Sequence, residues 1–317
     1  MMKAMSKCLY CYKELADGEL DFHKGCAKKF FGMQYTPELP YSLNDLDALA
    51  VQVIKSQTTL TGVQAKLSLH LDRHEGSRRL TVVGLWGDYI FKPQTQIYKN
   101  LPENEDLTMH LAEIAKIKVV PHTLIRLNDG TLGYLTKRID RTSDGGKIPM
   151  EDMCQLTERQ TEYKYKSSYE QITKTIAKYS YVPLLDLTDF YEQVFFSWLV
   201  GNNDMHLKNF SLYAPKGKWF LTPAYDLLNV SMANPKDTEE LALTLNGRKK
   251  RMKKSDFVSA LTLSGIAPKV FENMLEKYRK LLPKFYSMID MSFLDDESKE
   301  AYKQGITSRL ERMSAQK

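Results

Sequence analysis

The stretch that decides the fold is Gly201-Asn202-Asn203-Asp204-Met205-His206-Leu207-Lys208-Asn209-Phe210. The apolar residues 187–199 before it predict a helix that packs in the interior. Residues 209–214 and 219–221 after it flank the turn sequence Pro215-Lys216-Gly217, which predicts a β-hairpin. We therefore expect the polar stretch to be a loop held between a buried helix and a hairpin.

Two side chains in this loop have a spacing that suits phosphoryl transfer. Asp204 and Asn209 are five positions apart, as in the catalytic loop of protein kinases. In such a loop the carboxylate accepts the proton of the attacking hydroxyl, and the amide oxygen binds magnesium. Asp226, which follows the predicted hairpin, supplies a second carboxylate for the metal. The plainer alternative is that these residues cap helices, since the spacing alone is common by chance.

The rest of the chain changes character near residue 150, from strands to long helices. This order predicts an α+β fold with two lobes, although many α+β proteins share it. The predicted elements are a hairpin over 82–92 with Gly87-Asp88 as its turn, a helix over 104–116, strands over 122–126 and 132–138, and helices from 252 to 314 that begin at Ser255-Asp256.

Composition places the chain in an ordinary globular class. It has 317 residues, of which 43% are hydrophobic, and a formal net charge of +6. The longest apolar run, at residues 194–200, is too short to cross a bilayer. The N-terminus has no apolar stretch with a cleavage site. We therefore expect a cytoplasmic protein with no membrane partner.

Three of the four cysteines lie close together near the N-terminus. Cys8 and Cys11 form one close pair, and eleven residues later His23 and Cys26 form another. Two such pairs predict a structural zinc site with four protein ligands. The alternative is that these are small buried residues of a compact unit.

Two further segments leave their function open. The basic run over 248–254 could contact nucleic-acid phosphates, but a solvated loop before a helix is the better interpretation. Tyr163-Lys164-Tyr165-Lys166 could hold a substrate or could simply be exposed.

Several ordered motifs, taken together, resemble the HipA-like serine/threonine kinases, which are toxins of bacterial toxin–antitoxin systems. The motif Asn-Asp-x-His-x-Lys-Asn-Phe at 203–210 is followed by Leu-Thr-Pro-x-Tyr-Asp at 221–226. The resemblance covers about residues 57 to 230 well. The other segments that resemble the family are 61–66 (phosphate loop), 89–92 (lysine strand), 104–105 (start of a helix), 137–141 (hinge) and 151–155.

The resemblance implies ATP and magnesium as cofactors and assigns roles to individual residues. Asp204 would be the base and Asn209 and Asp226 the magnesium ligands. Lys92, with Glu105 as its acidic partner, would neutralise the ATP phosphates. The remaining positions implied are Lys208 in the cleft as a second catalytic residue, His206 and Tyr225 as nucleotide contacts, Thr61, Gly62, Val63, Gln64, Ala65 and Lys66 in the phosphate loop, and Lys137, Arg138 and Ile139 in the hinge.

The resemblance also implies self-regulation and partners. HipA-like kinases phosphorylate a hydroxyl at the start of their own phosphate loop, and the matching positions are Thr59 and Thr61. The implied partners are a protein substrate in the translation machinery, such as an aminoacyl-tRNA synthetase, and a DNA-binding antitoxin. The usual larger N-terminal subdomain is replaced by the short Cys/His unit, so a separately encoded subdomain is also expected.

Two departures from the family pattern bear on nucleotide binding. The loop over 61–66 has one glycine, and the hinge has Lys137 and Ile139 where an acidic and an aromatic residue are expected.

The predicted domains are a zinc unit (1–35), a connector (36–56), an N-lobe (57–149) and a C-lobe (150–317). The alternative functions are a small-molecule phosphotransferase, or an inactive kinase fold that serves as a zinc-bearing module for nucleic acid or antitoxin.

Overall fold

Short strands with alternating burial build the first part of the protein. In β1 (Leu67–Leu71) the leucines at 67, 69 and 71 are buried, and the residues between them are more exposed. This period of two is the pattern of a strand that covers a core with one face. The computed structural model describes residues 7–46, 48–49, 66–72, 79–84, 87–142 and 144–315.

The described residues form two compact units, of which the first contains residues up to 106, 120–139 and 291–294. Its centre is an antiparallel five-stranded sheet in the order β2-β1-β3-β5-β4. The helices and strands that lie in this unit or begin in it are α1 (Lys24–Phe31), β1, β2 (Leu80–Val83), β3 (Tyr89–Lys92), α2 (Leu101–Ile114), β4 (His122–Arg126) and β5 (Leu132–Lys137).

The hairpin predicted over residues 82–92 does not form, because β1 lies between the two strands. Both β2 and β3 pair with β1 in antiparallel register. Gly87 is packed against β1, where a Cβ atom would lie 2.5 Å from the carbonyl oxygen of Leu69. The glycine therefore permits close backbone approach in the sheet rather than a two-residue turn.

The two strands predicted over 122–126 and 132–138 are confirmed, and they form a hairpin. Strands β4 and β5 pair in register from His122 with Thr136 to Arg126 with Leu132. Gly130 in the connecting turn has a positive φ of 86°, a backbone conformation that glycine adopts at little steric cost.

The second unit contains residues 107–119, 140–290 and 295–317. The predicted hairpin after the polar loop is confirmed as β7 and β8, which pair in a three-stranded sheet with β6. The helices and strands are β6 (Met150–Asp152), α3 (Met153–Leu156), α4 (Tyr169–Tyr179), α5 (Pro183–Val200), β7 (Ser211–Tyr213), β8 (Phe220–Leu221), α6 (Val230–Ala233), α7 (Lys254–Leu263), α8 (Pro268–Met291) and α9 (Asp296–Ala315).

Aromatic packing around α5 forms the core of the second unit. Phe195 contacts Phe257, Phe271 and Tyr278 with ring centroids 5.0–5.4 Å apart. All four side chains are fully buried, and each ring contributes a large apolar area. Helix α5 is therefore fixed on several sides, and the loop that follows it begins from a rigid support.

Helix α7 begins slightly before the expected cap at Ser255-Asp256. Lys253 is the N-cap residue, and Asp256 lies three positions further along. The Oδ2 atom of Asp256 accepts a hydrogen bond of 2.9 Å from the Lys253 backbone N–H. Of the helices in the described part of the chain, none is long and apolar enough to cross a membrane.

Candidate active site

The polar loop begins where α5 ends at a glycine. Gly201 has a left-handed φ of 81°, and its N–H donates to carbonyls in the last turn of the helix. A Cβ atom here would lie 2.8 Å from the Oδ1 atom of Asn229. Glycine satisfies both the backbone conformation and the close contact, and it therefore sets the direction in which the loop leaves the helix.

Asn202 connects the two acidic positions of the predicted centre. This side chain is 1% exposed. Its Oδ1 atom accepts from the Asp204 N–H at 3.2 Å, and its Nδ2 atom donates to the Asp226 carbonyl at 3.5 Å. One buried amide thus holds the backbones of Asp204 and Asp226 together, although these residues are far apart in sequence.

Asn209 is oriented by the backbone of Asp204. Its Nδ2 atom donates to the Asp204 carbonyl at 2.9 Å, and the side chain is 5% exposed. The hydrogen bond identifies the amide nitrogen, and the other end of the amide is the oxygen Oδ1. Oxygen is the ligand that magnesium prefers, so this orientation fits the predicted role of Asn209.

Asp226 has a backbone conformation that is uncommon for its residue type. Its φ is +60°, in the left-handed region that costs a residue with a Cβ atom about 1–3 kcal/mol. Such conformations are concentrated at functional sites. Asp226 follows the β7–β8 hairpin, as predicted, and it is partly exposed.

The carboxylate of Asp204 accepts a hydrogen bond from a tyrosine. The Tyr165 hydroxyl donates to Oδ1 at 2.6 Å. The Tyr165 ring meets the His206 ring edge-on, with centroids 4.9 Å apart. Burial, and then the Asp204 carboxylate, raise the pKa of Tyr165, so the phenol stays protonated at neutral pH.

Lys208 and Tyr225 support the loop from its other side. Lys208 Nζ lies 2.6 Å from Asp152 Oδ2. The Tyr225 hydroxyl bonds to Ser211 Oγ at 2.6 Å and to the Lys208 carbonyl at 3.0 Å. Burial raises the pKa of Tyr225. These contacts anchor both residues to the protein. The catalytic role of Lys208 and the nucleotide contact of Tyr225 stay predictions.

Lys92 and Glu105 form a buried ion pair in the first unit, as predicted. Lys92 Nζ lies 2.6 Å from Glu105 Oε1, and both side chains are at most 6% exposed. Lys92 ends β3, and Glu105 lies in the first two turns of α2. Lys92 Nζ is also 5.4 Å from the centroid of the Tyr134 ring, a distance that suits a cation–π contact.

The burial of the Lys92–Glu105 ion pair leads to a prediction about the stability of the protein. Glu105→Gln withdraws the carboxylate charge from a buried ammonium group, so we expect it to lower the free energy of unfolding by about 3–5 kcal/mol. The double change Lys92→Met with Glu105→Leu removes both charges and should recover most of that loss. Urea unfolding of the three proteins measures this. Equal stability of Glu105→Gln and the wild type would contradict the prediction.

Of the other residues predicted to contact nucleotide, the structure describes those of the hinge and Lys66. Lys137 Nζ lies 5.3 Å from the centroid of the Phe30 ring, and the Arg138 N–H donates to the Asp88 carbonyl at 2.9 Å. Ile139 is half-buried, and Lys66 is exposed. Thr59, Thr61, Gly62, Val63, Gln64 and Ala65 lie outside the described residues.

The four predicted zinc ligands are brought together. The sulfur atoms of Cys8, Cys11 and Cys26 and a ring nitrogen of His23 all lie within 4.8 Å of one another. Cys8 and Cys11 lie in a tight turn closed by the bond from the Tyr12 N–H to the Cys8 carbonyl. His23 is the N-cap residue of α1, and Cys26 lies in its first turn.

The two separations from His23 and the hydrogen bond of its other ring nitrogen fit a tetrahedral zinc ion. With zinc–sulfur bonds of about 2.3 Å and zinc–nitrogen bonds of about 2.0 Å, neighbouring ligands are about 3.5–3.8 Å apart. His23 Nδ1 lies 3.5 Å from Cys11 Sγ and 3.8 Å from Cys26 Sγ. The other ring nitrogen, Nε2, is 2.9 Å from the Glu14 carbonyl. A carbonyl accepts only from an N–H, so Nδ1 carries the lone pair for the metal.

A buried hydrogen-bond network joins this cluster to α2. The Tyr12 hydroxyl, one residue after Cys11, donates to Asp106 Oδ2 at 2.7 Å. His122 Nδ1 lies 2.6 Å from Asp106 Oδ1, and all three side chains are at most 2% exposed. Asp106 is the residue after Glu105, so the Cys/His cluster and the Lys92–Glu105 pair are connected through one helix.

Sequence reasoning missed several residues of this arrangement. Asn202 lies in the quoted motif without an assigned role, because its burial and its contacts with Asp204 and Asp226 are visible only in the structure. Asp152 lies in the segment 151–155 that resembles the family, without an assigned partner. Tyr12 and Asp106 could not have been paired from sequence, because 94 positions separate them.

A family model described as the HipA-like C-terminal domain matches residues 58–285. This chain belongs to that family. The predicted α+β kinase-like fold is likewise confirmed by solved structures of HipA-type and related proteins. With the toxin chain in "Shewanella oneidensis MR-1 Toxin Antitoxin System HipA, HipB and its operator DNA complex", the TM-score is 0.70 at 19% identity, covering 96% of this chain and 75% of that one.

A second solved structure and three curated proteins are also similar to this HipA-like chain. The Helicobacter pylori proinflammatory kinase CtkA gives a TM-score of 0.51 at 14% identity, covering 78% of this chain and 93% of that one. A Haemophilus influenzae protein named "Putative kinase" is 30% identical over 62% of this chain and 60% of its own length. The Sinorhizobium fredii "Putative kinase Y4dM" is 34% identical over 54% of this chain and 44% of its own length. The Sinorhizobium fredii "Putative kinase Y4mE" is 30% identical over 64% of this chain and 50% of its own length. The chain thus spans about half the length of the curated relatives it matches.

Proposed function

We propose that this HipA-like protein is an ATP-dependent protein kinase that phosphorylates serine or threonine hydroxyls. The observation that carries the proposal is the arrangement of Asn202, Asp204 and Asn209. A buried amide holds Asp204 beside the backbone of Asp226, and Asp204 in turn orients the metal-binding amide of Asn209. The names of the relatives, each a putative kinase, support the same function.

Each residue of the centre has a chemical role in this proposal. Asp204 accepts the proton of the attacking hydroxyl as the new phosphate ester forms. Asn209 and Asp226 provide oxygen ligands for magnesium, which, when bound, neutralises charge on the transferring phosphate. Lys92, oriented by Glu105, binds the ATP phosphates. Lys208 and His206 complete the surroundings of the base.

The structural neighbour crystallised with HipB and operator DNA suggests the biological setting. We propose that this chain is a toxin that binds a DNA-binding antitoxin, and that its substrate is a protein of the translation machinery. We also propose that Cys8, Cys11, His23 and Cys26 bind a structural zinc ion.

Transfer of radioactive phosphate from γ-³²P-labelled ATP tests the proposed kinase function. The purified chain is incubated with magnesium, labelled ATP and a bacterial lysate, and protein-bound label is compared with label in small molecules. We expect label on a lysate protein, recovered as phosphoserine or phosphothreonine, and none with Asp204→Ala. Label that enters only a metabolite would instead identify a small-molecule phosphotransferase.

A further prediction concerns the phosphate loop. We expect the kinase to phosphorylate itself on Thr59 or Thr61 during incubation with ATP, because these positions match the self-modified hydroxyl of the family. A phosphate adds nearly two negative charges where ATP phosphates would bind, so it should switch the kinase off. Phosphosite mapping after incubation with magnesium and ATP measures this. Unmodified residues 58–61 in active protein, with no effect of Thr59→Ala plus Thr61→Ala, would contradict it.

A further inference from the structure

The side chain of Tyr165 lies where a substrate hydroxyl is needed. Its hydroxyl donates to Asp204 Oδ1 at 2.6 Å. A general base must lie within about 2.6–3.2 Å of the group whose proton it accepts. Tyr165 therefore makes with the proposed base the contact that an acceptor hydroxyl would make.

The segment that carries Tyr165 is fastened to the catalytic loop. The Leu207 N–H donates to the Lys164 carbonyl at 3.2 Å, and the Tyr169 hydroxyl donates to the Met205 carbonyl at 3.1 Å. The edge-on contact with His206 fixes the ring. The tyrosine is thus held at the base from both sides of its position in the chain, as a positioned acceptor requires.

The protonation state of the phenol also suits transfer to it. Burial and the Asp204 carboxylate raise the pKa of Tyr165, so the neutral hydroxyl needs a base when it attacks. That base is in contact with it. With 42% of the residue exposed, Tyr165 is accessible to solvent while its hydroxyl contacts Asp204.

We propose that Tyr165 is a phosphate acceptor of the chain's own phosphoryl-transfer centre. The inference rests on the proposed kinase function and adds a modification site to it. In the step, the Tyr165 phenol oxygen forms a bond to the γ-phosphorus of ATP, and the bond from that phosphorus to the ADP oxygen breaks. The phenol proton passes to Asp204 Oδ1, and ADP leaves.

Tyr163 provides a matched control. It is two residues away and 41% exposed, and the contact described for its ring is with Lys166, whose Nζ lies 4.8 Å from the centroid. We therefore compare the wild type, Tyr165→Phe, Tyr163→Phe and Asp204→Ala. Each is incubated with magnesium and ATP, and phosphopeptides covering residues 159–174 are quantified by mass spectrometry.

We expect phosphate on Tyr165 in the wild type and in Tyr163→Phe, and none on Tyr165 in Asp204→Ala. Because donor and acceptor belong to one chain, the initial rate per chain should not change over a tenfold range of protein concentration. Wild-type protein should also fail to modify Tyr165 of added Asp204→Ala protein.

Three outcomes would overturn the proposal, and they separate it from the proposed function. Phosphate on other residues or on lysate proteins, with Tyr165 unmodified, would leave the kinase function standing and refute this site. Phosphate on Tyr163 in equal amount would show that exposure rather than the contact with Asp204 selects the acceptor. No phosphate transfer to any protein would contradict both proposals.

Discussion

Asp204→Asn should lower the rate of phosphoryl transfer by about 10²–10⁴-fold, the usual contribution of a general base. Asparagine keeps the size of the side chain and an oxygen that can accept the hydrogen bond from Tyr165, but it cannot take up the proton. Since Asp204 contacts the acceptor rather than the nucleotide in this account, the affinity for ATP should change little. Initial rates of label transfer, together with ATP titrations, separate the two effects.

The control for this change is another acid of the same unit. Asp189 lies on α5 and pairs with Lys118 at 3.0 Å, so Asp189→Asn removes a carboxylate without touching the catalytic loop. It should transfer phosphate at the wild-type rate. A folded Asp204→Asn protein with near wild-type transfer would show that another group acts as the base.

Loss of the proposed N-terminal zinc ion should have the largest effect on stability. Structural zinc contributes on the order of 10 kcal/mol to folding in small zinc-binding peptides, comparable to the whole stability of a typical domain. Cys8→Ser with Cys11→Ser removes two of the four ligands. We expect about one zinc per wild-type chain, none in the double variant, and a much lower unfolding temperature of the first unit.

The contacts of the Cys/His cluster indicate that loss of the proposed zinc ion would also disturb Lys92, the proposed ligand of the ATP phosphates. Phe30 and Phe31 of α1 lie 5.9 and 6.4 Å from the Tyr89 ring on β3, and Tyr12 is bonded to Asp106 on α2. Strand β3 and helix α2 carry Lys92 and Glu105. We therefore expect zinc removal to weaken ATP binding as well as the Cys/His unit.

A second cysteine variant controls for the loss of a thiol. Cys154 is buried in the second unit, in α3, and does not belong to the metal-ligand cluster. Cys154→Ala should keep its zinc, measured by metal analysis of protein prepared without chelators. Wild-type protein without zinc, or a double cysteine variant as stable as the wild type, would contradict the structural role.

Local sequence patterns predicted the elements whose partners are close in sequence. The β4–β5 and β7–β8 hairpins and the long helix before the polar loop were predictable because turn residues and hydrophobic periodicity are local signals. The order of the five-stranded sheet was not. The Gly87-Asp88 pair indicates a turn, but it does not show whether the strands on its two sides pair with each other or with a third strand. In the structure both strands pair with β1, and the sequence around residues 87–88 contains no signal for this.

In the candidate site, too, contacts between residues close in sequence could be predicted and contacts between distant residues could not. The contact between Asp204 and Asn209 could be predicted because these residues are close in sequence. The same holds for the cluster of Cys8, Cys11, His23 and Cys26. The contact of Tyr165 with Asp204 and the bond from Lys208 to Asp152 join residues 39 and 56 positions apart. No local pattern in the sequence indicates these pairs, nor the left-handed backbone of Asp226. Thr59 and the residues 61–65 lie outside the described part of the chain, and their predicted contacts stay predictions.

Magnesium-dependent binding of ATP tests the central claim most directly, since every later step requires it. Calorimetric titration of ATP into the wild type, with and without magnesium, is compared with Asp226→Asn and with Asp189→Asn as control. We predict binding that requires magnesium in the wild type and in Asp189→Asn, and binding at least about tenfold weaker in Asp226→Asn, because one ligand of the metal has lost its charge. Folded wild-type protein that binds no ATP with magnesium present, or Asp226→Asn with unchanged affinity, would contradict the assignment of this centre.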